Sequence, residues 1–420
     1  MTDRLYYRDS FLYDFDAEIR ENLDSPRPGL ILDRTAFYPT SGGQVHDTGW
    51  LTSNEGAKAR VTEVVDTEDG RIVHYLEAPL DLKPGTRMHG VIDAARRRDH
   101  MQQHSGQHVL SAAFVRLYNM PTVSFHMGDD YCSIDLETPN LTNEQVGAAE
   151  RLANEVILEN RPVDIRFVTR EEAGKLGVRK LPSAVGAPGF AGVAKPGSGD
   201  ELRLIDIRDF DLTACGGTHV SQTGQIGSIL LRKTERVRQG WRVEFVAGQR
   251  AVATARRDFT TLTEAASLFS AHIYDIPQQV RKSLDEIKAQ RKQREQTLEE
   301  LAEAQAVALL ADTHEANGRK LVVRTVSDRD MNFLKLLAQR LTRLAPNVVT
   351  LLGTKSPQPS LVFAQSSGQP FDLAALMKKT MADLGGRGGG SKDMAQGGVP
   401  GADKIEPTLQ SLAATLQVNS

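Results

Sequence analysis

Two short runs each hold a pair of metal-seeking side chains with three residues between them: HSGQH, with His104 and His108, and CGGTH, with Cys215 and His219. More than a hundred residues lie between the runs. A zinc finger crowds its ligands into one hairpin. Pairs this far apart can converge only in a fold that carries two distant segments to one point. Three imidazoles and one thiol form a donor set suited to zinc, whose protein ligands are cysteine sulfur, histidine nitrogen and carboxylate oxygen. A site assembled from distant segments has the character of an active centre.

HxxxH alone is a weak signal, and the chain holds a second such pair in His100 and His104. Helical residues four apart share a face about 6 Å along the axis, whereas His100 and His108 are separated by about 12 Å of rise. His104 therefore takes one of the two as partner, and the spacing leaves the choice open. Gly216 and Gly217 disfavour a helix and permit a tight bend that folds Cys215 and His219 together. Cys132 reads as a core residue. Four protein ligands close a zinc ion, while a catalytic zinc keeps one position open. His219 is thus either a full ligand or sits just outside the ion's own shell.

The 420 residues suit two to four domains, and the composition, 40% hydrophobic and 25% charged, is that of a globular protein. A formal net charge of -3 means that any nucleic-acid partner must be met by local basic patches. Two cysteines give no disulfide framework, and no long apolar run suggests a signal peptide or a membrane span, so a cytoplasmic location without membrane contact is expected.

The fold class expected is α+β, multidomain. Residues 1–94 read as a small β-barrel, with β-branched runs at Gly29–Leu32, Ala59–Val65, Arg71–Leu76 and Met88–Ile92. Residues 95–250 read as an α+β zinc domain. It has helices over Asp93–Met120 and Leu141–Glu159, the second with Thr142 and Gln145 as a capping box, then a Gly/Pro-rich loop over Leu181–Gly199 and strands at Leu202–Ile207 and Ile226–Leu231. Residues 251–318 form a helical arm, because Gln278–Asn317 lacks Pro and Gly and carries a broken heptad-like stripe. Residues 319–420 read as a small α/β domain, with strands Leu321–Val326, Val348–Leu352 and Leu361–Phe363, a helix Met331–Leu344, and the run GGRGGG at Gly385–Gly390. A monomer, or a homodimer through the arm or C-terminal domain, is compatible with this layout.

MQQHSGQHVL at Met101–Leu110 and TACGGTHVSQTGQIG at Thr213–Gly227 closely resemble the editing domain of alanyl-tRNA synthetase and, more distantly, threonyl-tRNA synthetase. AFYPTSGGQVHDTG at Ala36–Gly49 is similar to that domain's glycine-rich motif, and WRVEFVAGQRA at Trp241–Ala251 to its closing segment. GGRGGGSKDMAQGG at Gly385–Gly398 resembles the DHH-associated domain that ends alanyl-tRNA synthetase. Asp99-His100-Met101 does not supply the DHH phosphodiesterase motif. The resemblance implies an alanyl-tRNA editing protein of the long AlaX type, freestanding and without aminoacylation activity.

The same resemblance implies a hydrolase that deacylates tRNA(Ala) mischarged with serine or glycine. It also implies one zinc ion per chain, held by His104, His108, Cys215 and His219. A pocket shaped for alanine discriminates against an added hydroxyl by only about 10²-fold, so a second site must remove serine. Serine is larger than alanine, so that site must reward the hydroxyl with a hydrogen bond. Thr40 is the first candidate for this contact and Gln44 the second; the bland reading of TSGGQ is turn chemistry. For tRNA phosphates the candidates are Arg96, Arg97 and Arg98, then Arg232, Lys233, Arg236 and Arg238, and finally the glycine run with Arg387 and Lys392. The rivals are an editor of another tRNA, such as Ser-tRNA(Thr), and a non-catalytic tRNA-binding module with structural zinc.

Overall fold

The computed structural model describes residues 2–25, 27–179 and 201–418; the loop expected over Leu181–Gly199 lies outside the described residues. Six strands, Asp14–Leu23, Gly29–Leu32, Gly49–Ser53, Lys58–Asp66, Ile72–Leu76 and Arg87–Ile92, close into a barrel. In ring order they run first, second, fifth, fourth, third, sixth. Period-two alternation fills the inside: Phe15, Ala17 and Ile19 point inward from the first strand, Met88 and Ile92 from the last. Gly90 completes that row because a Cβ there would lie 2.5 Å from the Phe15 ring. Asp14–Leu23 and Gly49–Ser53 escape a search for β-branched runs, since Ile19 is the one β-branched residue among their inward positions, beside Phe15, Ala17, Gly49, Leu51 and Ser53.

Asp93 ends the barrel and caps helix α1, Ala94–Tyr118, by accepting from the backbone N–H groups of Ala95 and Arg96. Asn119, in the left-handed region, closes it. Helix α2, Asn143–Leu158, starts with the expected capping box: Thr142 Oγ1 accepts from Gln145 N, and Gln145 Oε1 from Thr142 N. Helix α3 is one short segment, Arg170–Lys175. An antiparallel sheet in the order Ile229–Val237, Gly240–Ala247, Cys132–Leu136, Thr122–Met127 packs with α1 and α2 in one core. A three-stranded antiparallel sheet orders Val163–Thr169, Glu201–Ile207 and Asp211–Ala214. The strand expected at Ile226–Leu231 begins only at Ile229. Thr223–Ile226 is a 3-10 turn ended by Gly227 at φ 87°, and the strand then runs on through the basic residues to Val237.

The chain divides into two compact units, Met1–Glu264 and Ala265–Ser420. The stretch 251–318 is shared between them. Helix α4, Gly248–Leu268, crosses the boundary, and α5, Ile276–Asp312, is one continuous helix of the second unit. Val280, Leu284 and Ile287 of the heptad-like stripe are exposed, whereas Ala302 and Ala306 are buried in a core with α6, Met331–Leu344. That core covers one face of a six-stranded sheet, which contains one parallel pair, Arg319–Val326 with Val348–Thr354, joined by α6. Helices α7, Leu373–Leu384, and α8, Ile405–Val418, cover the other face.

The glycine run is a strand, not a loop. Arg387–Gly390 forms the sheet edge and pairs with Met394–Gly398. Its glycines leave room for α7. Cβ atoms at Gly386, Gly388 and Gly397 would lie 3.0, 2.8 and 2.4 Å from Met381.

Arg97 and Asp47 form an ion pair with both side chains fully buried. Arg97 also donates to the Ser10 and Ala36 carbonyls, and Asp47 accepts from the Tyr38 backbone N–H. The pair ties the glycine-rich loop to α1. Arg97→Met leaves a buried carboxylate without its cation and is expected to destabilise the first unit by about 3–5 kcal/mol, measured by urea unfolding. A loss below about 1 kcal/mol, the range of exposed pairs, would contradict this burial.

Candidate metal centre

Helix α1 is buried without interruption from His100 to Phe114, although it carries Gln102, Gln103, His104, Ser105, Gln107, His108 and Ser111. The turn between Asp211–Ala214 and Thr223 brings CGGTH against it. His104, His108, Cys215 and His219 converge with their donor atoms all within 4.8 Å of one another. Cys215 Sγ lies 3.4 Å from His104 Nε2 and 3.3 Å from His219 Nε2. A tetrahedral zinc ion, with Zn–S of about 2.3 Å and Zn–N of about 2.0–2.1 Å, holds sulfur and nitrogen about 3.5 Å apart. The donor types and these separations fit zinc. His219 stands as close to the thiol as His104 does.

His104 is held by Gln44. The Gln44 carbonyl accepts from His104 Nδ1 at 2.8 Å and from the Thr218 backbone N–H at 3.1 Å, while its amide donates to Thr218 Oγ1 at 2.8 Å. The backbone donor fixes which end of the amide is oxygen. Nδ1 therefore carries the proton, and Nε2 turns its lone pair toward Cys215. Ser105 Oγ accepts from the Val220 backbone N–H and meets His219 Nδ1 at 3.2 Å. His108 Nδ1 lies 3.8 Å from Asp211 Oδ2, and Asp211 is clasped by Arg179 at 2.6 and 2.9 Å. Partners such as Gln44 and Ser105 orient imidazoles at metal sites and raise their basicity, whereas His108 Nδ1 makes no hydrogen bond. Phe125 stacks on His104, ring centroids 5.4 Å apart.

Burial holds all three imidazoles neutral: His104 is pushed down to about 3, and His108 and His219 fall well below the usual histidine value. Neutral imidazoles present lone pairs to a cation at neutral pH without first losing a proton. Burial pushes the Cys215 thiol up, and the buried Arg203 guanidinium opposes it. Arg203 donates to the Tyr7 and Cys215 carbonyls, so it fixes the thiol's backbone as well.

His100 lies outside the cluster, buried and pushed down to about 4. Cys132 is a core residue, its thiol pushed up to about 12 by burial. Gln44 corrects the sequence reading. It is fully buried with both ends of its amide spent on His104 and Thr218, so it positions a metal ligand and is not free for a substrate hydroxyl. Thr40, four residues earlier in the chain, is exposed. Gly43, at φ +86°, makes the turn between them, and a Cβ there would sit 2.7 Å from the Phe125 carbonyl oxygen. The glycine of CGGTH also has a different reason from the expected bend. Gly217 has no positive φ, but a Cβ on it would lie 2.1 Å from His104 Cε1.

Of the basic candidates, Arg97 is removed by its buried pairing with Asp47. Arg98 is exposed, and Arg96 is half-buried, donating to the His46 carbonyl at 3.0 Å. Arg232 pairs with Asp258 and Lys233 with Glu235, both on exposed ground; Arg236, Arg238, Arg387 and Lys392 are exposed. The edge-strand geometry spends part of the glycine run's backbone amides on pairing with Met394–Gly398, which corrects the picture of a loop wrapped on phosphate. Sequence reading missed Arg203, Asp211, Arg179, Ser105 and Thr218. An arginine set within the largely apolar strand run LRLIDI was the available signal for Arg203.

Family models match in chain order: tRNA synthetases class II (A) over residues 10–96, the threonyl and alanyl tRNA synthetase second additional domain over residues 202–243, and the DHHA1 domain over residues 318–417. The alanyl-tRNA editing protein AlaX-L of Pyrococcus horikoshii aligns with 28% identity across 100% of both chains. Over its full length the chain is similar to this alanyl-tRNA editing protein. Alanine–tRNA ligases of Pyrococcus abyssi and Thermococcus kodakarensis align at 32% and 33% identity over 99% of this chain. The chain spans 44% of the length of each of these ligases. The four-donor cluster lies on α1 and on the segment matched by the second additional domain.

A Gly217→Ala substitution is expected to lower zinc affinity at least roughly tenfold by displacing His104 and its Gln44 partner, read by chelator competition. Unchanged affinity would mean that His104 is not held against Gly217.

Proposed function

We propose that the chain hydrolyses the ester joining a wrong amino acid, serine and secondarily glycine, to tRNA(Ala). The observation that carries this reading is the convergence of His104, His108, Cys215 and His219 beneath the TSGGQ turn. When bound, a zinc ion would supply Lewis-acid polarisation and lower the pKa of nearby coordinated water toward about 7. The chain's own residues do the rest. Gln44 and Ser105 orient the imidazoles of His104 and His219, and Thr40 offers an exposed hydroxyl for the serine side chain.

Phosphate contacts fall to exposed cations, of which Arg98 stands one residue from the buried Arg97. Among the described residues no helix is long and apolar enough to cross a membrane, which fits a tRNA substrate.

A second reading, a non-catalytic tRNA-binding module with structural zinc, draws on the full set of four protein donors. Purified protein should be incubated with Ser-tRNA(Ala), Ala-tRNA(Ala) and Ser-tRNA(Thr), before and after zinc removal. Release of serine from tRNA(Ala) alone, lost on demetallation of the still-folded chain and regained with zinc, is the expected outcome. Tight tRNA binding without release of any amino acid would favour the second reading, and preferential release from tRNA(Thr) would change the substrate. In a separate measurement, Arg98→Glu should weaken tRNA binding and reduce its salt slope by about 1. An unaltered slope would take Arg98 out of the interface.

A further inference from the structure

Thr40 and His46 stand on either side of the glycine turn, and their side chains meet. Thr40 Oγ1 lies 3.0 Å from His46 Nδ1 and accepts from the His46 backbone N–H at 3.1 Å. The other ring nitrogen, Nε2, lies 3.1 Å from the Thr62 carbonyl oxygen, which can only accept. In the neutral ring Nε2 therefore carries the proton and Nδ1 the lone pair. Thr40 must spend its own proton on that lone pair. One acceptor site then remains on an exposed hydroxyl.

The charges around the ring favour its neutral form. Burial and the neighbouring Arg96 hold His46 below the usual histidine value, against the opposing pull of Glu63 and Asp47. Arg96 also pins the His46 carbonyl at 3.0 Å, so the imidazole is fixed at its backbone and at both ring nitrogens.

We propose that His46 is a positioning residue that makes Thr40 a hydrogen-bond acceptor only, and so selects aminoacyl groups that carry a hydroxyl donor. The inference rests on the deacylase reading above. A serine hydroxyl donates into the free lone pair. Glycine and alanine have no side-chain proton to give. Without the imidazole, the Thr40 hydroxyl rotates freely and can present its proton outward as well, and the site loses its fixed polarity.

The test measures kcat/KM for Ser-tRNA(Ala) and Gly-tRNA(Ala) with the zinc-loaded full chain, its His46→Ala, His46→Asn and Thr40→Val variants, and the Thr40→Val/His46→Ala double variant. In His46→Ala the serine-over-glycine ratio should fall roughly tenfold, the worth of one hydrogen bond. His46→Asn, whose amide oxygen can take the Thr40 proton, should recover most of it. In the Thr40→Val background, His46→Ala should change the ratio no further, because His46 acts only through Thr40. A merely structural role lowers both substrates alike and leaves the ratio unmoved. An unmoved ratio in His46→Ala, no recovery in His46→Asn, or a further fall in the double variant would each overturn the proposal. His46→Leu, which keeps bulk without an acceptor, repeats the test if His46→Ala does not fold. A parent protein inert toward both aminoacyl-tRNAs overturns the deacylase reading instead.

Discussion

Helix α1 is polar and almost wholly enclosed, and the first unit is arranged around satisfying it. An unpaired buried polar group costs about 1–3 kcal/mol, and a domain has only about 5–15 kcal/mol of net stability. Of the seven polar side chains from Gln102 to Ser111, six are hydrogen-bonded to side-chain or backbone partners, and only His108 Nδ1 has none. Gln103 takes both the N–H and C=O of Ala247, Gln102 donates to the Gln225 carbonyl, Gln107 donates to Ser111, and Ser111 meets Thr122. His104 goes to Gln44, and Ser105 to Val220 and His219. Partners from several distant segments therefore converge on one helix, and the metal donors inherit their positions from that convergence.

Two buried guanidinium groups hold the surroundings of the site in different ways. Arg97 has a carboxylate partner and locks the glycine-rich loop onto the first turn of α1. Arg203 donates to carbonyls of Tyr7 and Cys215, and its charge favours the ionised form of the thiol beside it. A thiolate is the form that binds metal, and it is the form that burial alone disfavours. The positive charge offsets part of that penalty where sulfur must serve as a ligand.

The readable parts of the sequence were those where one residue type has one physical use. The capping box at Thr142 and Gln145, the Pro-free run of α5 and the β-branched strands of the barrel all depend on local chemistry, and they lie where that chemistry puts them. The two pairs that converge, His104 with His108 and Cys215 with His219, were legible because their donor types are rare and their spacings simple. Roles set by tertiary partners were not legible. Arg97 looks like one of three basic residues in a row, and only Asp47, fifty positions earlier, turns it inward. The run GGRGGG reads as a flexible loop because glycine is permissive, yet here its lack of side chains lets α7 seat Met381 on an edge strand. Gly217 likewise signals freedom in sequence and serves close approach in the fold.

The TSGGQ motif joins two tasks through one turn. Gln44 is buried and fixes the tautomer of His104, whereas Thr40 is exposed with its hydroxyl against His46. Ser41 and Gln44 pair backbone to backbone at 3.0 and 2.9 Å, and Gly43 sits too close to Phe125 for any side chain, so the turn has little room to flex. Phe125 in turn stacks on His104. A shift of the turn would disturb His104 from two sides and move the Thr40 hydroxyl with it. The proposed recognition of an extra hydroxyl would draw on this coupling. The favourable contact is one hydrogen bond, worth about 1 kcal/mol when loosely made, and it gains discriminating power only when donor and acceptor are held in place before the substrate arrives.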